Sequence, residues 1–139
     1  MKHRILSAAL LAAALTFTGC GPKAGVEGKD ITSRSSASEI GKAYVNEMTR
    51  IADALDTVKD EDTARKAATE IRKAADGLET MKEALGDDIS GLRAMQIFGS
   101  HYQELITAQT RMMTSMMRIQ SENPELMNYI SEEMDRLND

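Results

Sequence analysis

Residues 36–58 read SASEIGKAYVNEMTRIADALDTV. Ser36 and Glu39 stand at capping-box spacing: the Ser36 hydroxyl can accept the amide of Glu39, whose carboxylate reaches back. Ile40, Tyr44, Met48, Ile51, Leu55 and Val58 then recur at steps of three and four. That is the period of one helix face and of a coiled-coil seam, and it predicts a helix from about residue 37 to 59.

Downstream the same logic repeats. Lys59-Asp60-Glu61-Asp62 is a short charged break in which Asp60 or Asp62 can cap a second helix. That helix carries Ala64, Ala67, Ile71, Ala74, Leu78, Met81 and Leu85 on one face, and its alanines permit close approach. So short a break forces an antiparallel hairpin. Gly86-Asp87-Asp88 ends the second helix and supplies caps for a third. The third spans about residues 90–121, with a seam of Met95, Phe98, Tyr102, Leu105, Gln109, Met112, Met116 and Ile119, and a bend at Gly99-Ser100. Asn123-Pro124 restarts the chain, Asn as cap and Pro at the first helical position. A short fourth helix places Met127, Ile130, Met134 and Leu137 on one face. The expected fold is all-α, an up-down antiparallel bundle of three long helices plus a shorter C-terminal one, over residues 36–139. Level counting pairs Tyr44 with Phe98 and Met48 with Tyr102 in the core.

Upstream, Lys2, His3 and Arg4 precede an apolar run from Ile5 to Phe17, the length of a secretory signal core and too short for a membrane span. The run ends in Leu15-Thr16-Phe17-Thr18-Gly19-Cys20, which resembles the lipobox of bacterial lipoproteins. The resemblance implies a signal peptide over residues 1–19, acylation of Cys20, and attachment to the membrane through that lipid. Phe17 departs from the pattern, where an aliphatic residue is usual. Gly21 in place of Asp points to the outer membrane of a two-membrane cell, with the domain on its periplasmic face. Residues 20–35 are then the lipidated N-terminus and a flexible linker, since 21–35 holds three Gly and one Pro. The stretch Ala52-Asp53-Ala54-Leu55-Asp56-Thr57-Val58-Lys59-Asp60, running on to Thr63-Ala64, is similar to small secreted helical proteins of bacteria without assigned activity.

Charge narrows the function further. The chain has 17 basic and 22 acidic residues. Removal of Lys2 and Arg4 with the signal leaves 15 against 22, a net of −7, and nucleic acid is a poor partner for it. A single Cys excludes an intrachain disulfide and a CxxC site. His101 becomes the sole histidine, with Glu104 three residues on; a structural or solvated role is the default. Glu-x-x-His pairs and CxxCH are absent, and the Asp60-Glu61-Asp62 and Asp87-Asp88 groups lack the alternation of a calcium loop. The expectation is therefore a protein that binds or supports rather than an enzyme, with no cofactor.

One stretch is unusual: Arg111-Met112-Met113-Thr114-Ser115-Met116-Met117-Arg118. If the fourth helix folds back on the third, Met112, Met113, Met116, Met117, Met127 and Met134 gather near one end of the bundle, with Met112 near Glu133. Methionine fills irregular gaps in cores, so packing is the default. Two alternatives stay open: a soft-metal site for Cu(I) built from thioethers, and an adaptable patch for a protein partner or for self-association. On helical spacing, Met112 and Met116 continue the seam and belong under Met127, Ile130 and Met134. Met113 and Met117 lie on the flank and are the partner-surface candidates. The last eighteen residues hold six acids and one base, a solvated face or an acidic docking surface.

Overall fold

The computed structural model describes residues 26–86 and 92–137. The apolar run, Cys20 and Asp87-Asp88 lie outside them. Every regular element among the described residues is helical: α1 (Ala37–Asp56), α2 (Glu61–Leu85), α3 (Leu92–Phe98), α4 (Tyr102–Glu122) and α5 (Met127–Asp135), with single 3-10 turns at Gly28–Asp30, Gly99–His101 and Pro124–Leu126.

The helix starts follow local chemistry. Ser36 Oγ accepts the Glu39 amide at 3.3 Å, and the Ser36 amide donates to Glu39 Oε2 at 2.8 Å. Asp60 Oδ1 accepts the Thr63 amide at 2.8 Å, so Asp60 is the cap of α2. Asn123 makes no side-chain cap bond; its carbonyl accepts the Leu126 amide at 3.0 Å instead. At the end of α2, Gly86 takes φ +61°, where a side chain would be strained.

One buried cluster joins Ile51, Leu55 and Val58 to Ala64, Ala67, Ile71, Ala74, Ala108, Ile119, Leu126 and Ile130. A second joins Ile31, Ile40, Ala43, Met81, Leu85 and Ile97 at the other end. α1 is the hub and packs on α2, α3 and α4. Tyr44 meets Phe98 edge to face at 5.1 Å between ring centres, Asp53 meets Arg111, and Val58 meets Arg118, so α1 and α4 run parallel. α5 lies along α2, fixed by Arg72 to Glu133, by Arg136 to Asp76 at 2.7 Å, and by Arg65 over the Tyr129 ring at 4.7 Å.

Four expectations are corrected. The expected third helix is broken: α3 and α4 are separated by the turn at Gly99–His101. Packing supplies a reason. A Cβ on Gly41 of α1 would stand 2.2 Å from the Ile97 carbonyl, so α3 approaches α1 backbone to backbone and the chain must re-aim before α4. Past the break the buried face has shifted and Tyr102 is 60% exposed, so the Met48–Tyr102 core pairing fails while Tyr44–Phe98 stands; within α3 the buried side chain is Ile97, and Met95 is 73% exposed. α1 ends at Asp56 rather than 59, where the Thr57 hydroxyl donates to the Ala54 carbonyl at 2.7 Å.

The fourth correction concerns the linker. From Val26 on, the segment before α1 is packed. Ile31 is buried, the Gly28 amide donates to Glu47 Oε1 at 2.7 Å, Asn46 donates to the Val26 carbonyl at 3.0 Å, and Arg50 pairs with Glu27 at 2.9 Å. A Cβ on Gly28 would lie 2.4 Å from the Gly77 carbonyl, so the absence of a side chain there lets this strap lie on α2. Its polar composition hid charges that are paired and two apolar residues that are anchors.

Candidate functional site

The four charged residues of α4 are Glu104, Arg111, Arg118 and Glu122. Their spacing of seven, seven and four places them on one side of the helix. The inner part of that side is fixed to the end of α1. Arg111 pairs with Asp53 at 2.8 Å and with Asp56, while the Ser115 hydroxyl donates to Asp56. Arg118 donates to the Val58 carbonyl at 2.9 Å and to the Leu55 carbonyl at 3.1 Å. It thereby ties α4 to the end of α1 and to the turn that follows it, where the Leu55 carbonyl also accepts the Val58 amide at 3.2 Å. Burial would raise the Asp56 carboxyl, but the Ser115 and Arg111 bonds outweigh it and hold it below the usual range. The Ser115 hydroxyl is thus held between the helices, tying α4 to Asp56 of α1.

The buried face of α4 is Ala108, Ser115 and Ile119, with Leu105 and Met112 beside them. Small residues let α4 approach α1 closely, and the large side chains are displaced to the flanks. Met112 and Met116 are accordingly half-buried at the edge of the main cluster, as are Met127 and Met134 on α5. Glu133 is buried against α2 and pairs with Arg72 and Arg136; those two arginines hold its carboxyl below the usual range.

The outward face is different in kind. Tyr102 is 60% exposed, Ile106 41%, and Met113 and Met117 66% each. Gln109, Thr110 and Gln120 lie among them and are exposed. No charged residue interrupts this strip over the length of α4. A strip of this kind marks a binding surface more often than a bare helix side does. The six methionines therefore do not close into one layer: four edge the core, and two project from it.

Two further polar groups are buried. Glu47 on α1 faces the Gly77 side of α2, where a Cβ would stand 2.7 Å from Oε1. Desolvation raises its carboxyl above the usual range, against the pull of the Gly28 amide and Arg50. Arg50 Nη1 lies 3.0 Å from Oε2, close enough for charge pairing but off hydrogen-bond geometry. Glu47 was legible in principle: it sits seven residues after Ile40 and four before Ile51, an acid inside the apolar stripe. The His101 ring lies over Gly41, its Nδ1 3.1 Å from Glu104 Oε2 and its buried Nε2 without a hydrogen-bond partner.

Among the described residues no three His, Cys, Asp or Glu side chains are grouped to hold a metal, and no helix is long and apolar enough to cross a membrane. Comparison with family models, curated proteins and solved structures found no match for this chain.

Proposed function

We propose that this chain is a lipid-anchored protein of the bacterial cell envelope that works by binding through a helical domain, not by catalysis. The observation that carries the binding half is the uncharged outward strip of α4, exposed on a domain whose other helices are charged. The anchoring half rests on the Thr18-Gly19-Cys20 ending of the apolar run. On this reading the domain is an up-down bundle held at the periplasmic side of the outer membrane by acyl chains on Cys20. On the same reading five residues, 21–25, separate Cys20 from the packed strap at Val26, a reach of about 15–18 Å at most, so the bundle is held close to the membrane.

Labelled fatty acid fed to expressing cells tests the anchor. Incorporation is expected in the wild-type chain and not in Cys20→Ser; equal labelling of both overturns the assignment. Cu(I) titration against a competing chelator tests the soft-metal alternative, which is supported only by the exposed Met113 and Met117 pair. Two thioethers on one helix are few for a site of useful affinity, and no binding is expected.

A further inference from the structure

We infer that the strap Val26–Ile31 is a releasable clasp on the membrane tether, pinned by the Glu47 carboxylate and able to leave the bundle while α1 to α5 stay folded. Its effect on reach from the membrane rests on the anchor reading above.

The strap is held by few attachments. Ile31 is its one buried side chain. The others are polar: the Gly28 amide on Glu47 Oε1 at 2.7 Å, Asn46 on the Val26 carbonyl, and Arg50 on Glu27. Its internal structure is a single 3-10 turn, in which the Asp30 and Ile31 amides bond back to the Glu27 and Gly28 carbonyls. α1 does not depend on it, because Ser36 and Glu39 cap that helix by themselves. Between the two lies the exposed turn Thr32–Ser35, a hinge of four residues closed by the Ser35 amide on the Thr32 carbonyl at 3.0 Å. Ile40, Ala43, Met81, Leu85 and Ile97 belong to α1, α2 and α3 and need not part when Ile31 withdraws. Segments with few buried contacts are the first to open in a folded protein.

Glu47 gives the clasp its control. With the strap docked it is 1% exposed, and its Oε2 accepts no hydrogen bond. The charged groups around it are Glu27 and Lys29 on the strap, Arg50 on α1, and Glu70, Lys73 and Asp76 across a cleft of about 470 Å³ on α2. Three acids meet three bases, so the surroundings bring little net charge to hold a buried carboxylate ionised. Desolvation accordingly raises its carboxyl above the usual range. Opening returns the group to water. The docked state thus holds the proton more tightly than the open one, and the clasp loosens as pH rises from 4.5 through the docked value.

The consequence is a tether of two lengths. Closed, residues 21–25 reach about 15–18 Å; open, residues 21–35 reach about 50–54 Å at most. The bundle changes its distance from the membrane without unfolding.

Hydrogen exchange of the full lipidated chain in phosphatidylcholine vesicles tests the clasp. The Gly28, Asp30 and Ile31 amides should open together, at least about a hundredfold more often than the interiors of α1 and α2. That opening should increase with pH over the window above, and in Glu47→Gln it should not change with pH. Gly28→Ala sets a Cβ 2.4 Å from the Gly77 carbonyl and should hold the clasp open. Its strap should lose protection while α1 and α2 keep theirs, and trypsin should cut at Lys29 about tenfold faster or more. Energy transfer from a dye coupled at Gln120→Cys to an acceptor lipid should fall when Gly28→Ala is added. Strap amides that exchange only together with α1 and α2, a pH response that survives in Glu47→Gln, or transfer unchanged by Gly28→Ala overturns the proposal. Fatty-acid labelling of the same samples keeps the two readings apart. A labelled chain whose strap never opens by itself overturns the clasp alone, whereas an unlabelled chain whose strap opens overturns the anchor alone.

Discussion

The inward face of α4 carries Ala108, Ser115 and Ile119 against α1, while its outward face carries Tyr102, Ile106, Met113 and Met117 against solvent. By hydrophobicity alone the second face is the richer. The first is nevertheless the buried one, because two small residues let backbones approach and because Asp56 and the last carbonyls of α1 offer partners to Ser115, Arg111 and Arg118. Polar complementarity at a helix end, added to a close fit, outranks the apolar content of a single stripe.

The sharpest way to break this comparison is to cut the inward face. Ile119 is 1% exposed, and Ile119→Ala should cost about 2–5 kcal/mol in urea unfolding. A loss under about 0.5 kcal/mol would mean that α4 is not held by this face. Arg118→Ala should cost less, about 1–2 kcal/mol, by removing the charged donor from the Leu55 and Val58 carbonyls. Its signature is faster amide exchange through the last turn of α1; unchanged exchange there would remove Arg118 from that role.

Acidity separates two carboxylates. Asp56 titrates lower in the folded chain than in the unfolded one. The stability it contributes is full above the unfolded value near 3.8 and is lost as pH falls through the folded value. Asp56→Asn should therefore flatten the acid limb of the stability profile. Glu47 has the opposite sign. Its folded value is raised above 4.5, so its contribution to stability declines as pH rises from there through the folded value. The stability difference between Glu47→Gln and wild type should shift in the variant's favour across that window, and a flat difference would show that Glu47 does not titrate in it. The smallest effect belongs to the outward face: Met117→Ala, at a side chain 66% exposed, should move the melting midpoint by less than the equivalent of about 0.5 kcal/mol.

The legible parts of the fold were those written in local chemistry. Ser36 with Glu39 and Asp60 with Thr63 announce helix starts, because a cap needs only residues three apart. Alanine at 64, 67 and 74 with Ile71 announces the buried side of α2. The Tyr44–Phe98 contact followed from counting levels through the two turns that join the first three helices. The seam of α4 was misjudged because large side chains were weighted above Ala108 and Ser115. Glu47 was passed over because an acid in an apolar stripe reads as noise until Gly28 and Arg50, nineteen residues before it and three after, are seen to meet it.

By itself the sequence determined the helical character of the described residues, the starts of the first two helices, and an apolar run closing on Cys20, because caps, periods and runs are properties of neighbouring residues. Only the tertiary structure decided that residues 26–31 are a strap on the bundle, that α5 rests on α2, and that Tyr102, Met113 and Met117 remain outside. Those outcomes depend on which backbones can touch, as at Gly41 with Ile97 and Gly28 with Gly77, and on charged groups that find partners about sixty residues away. A one-dimensional period carries neither distance.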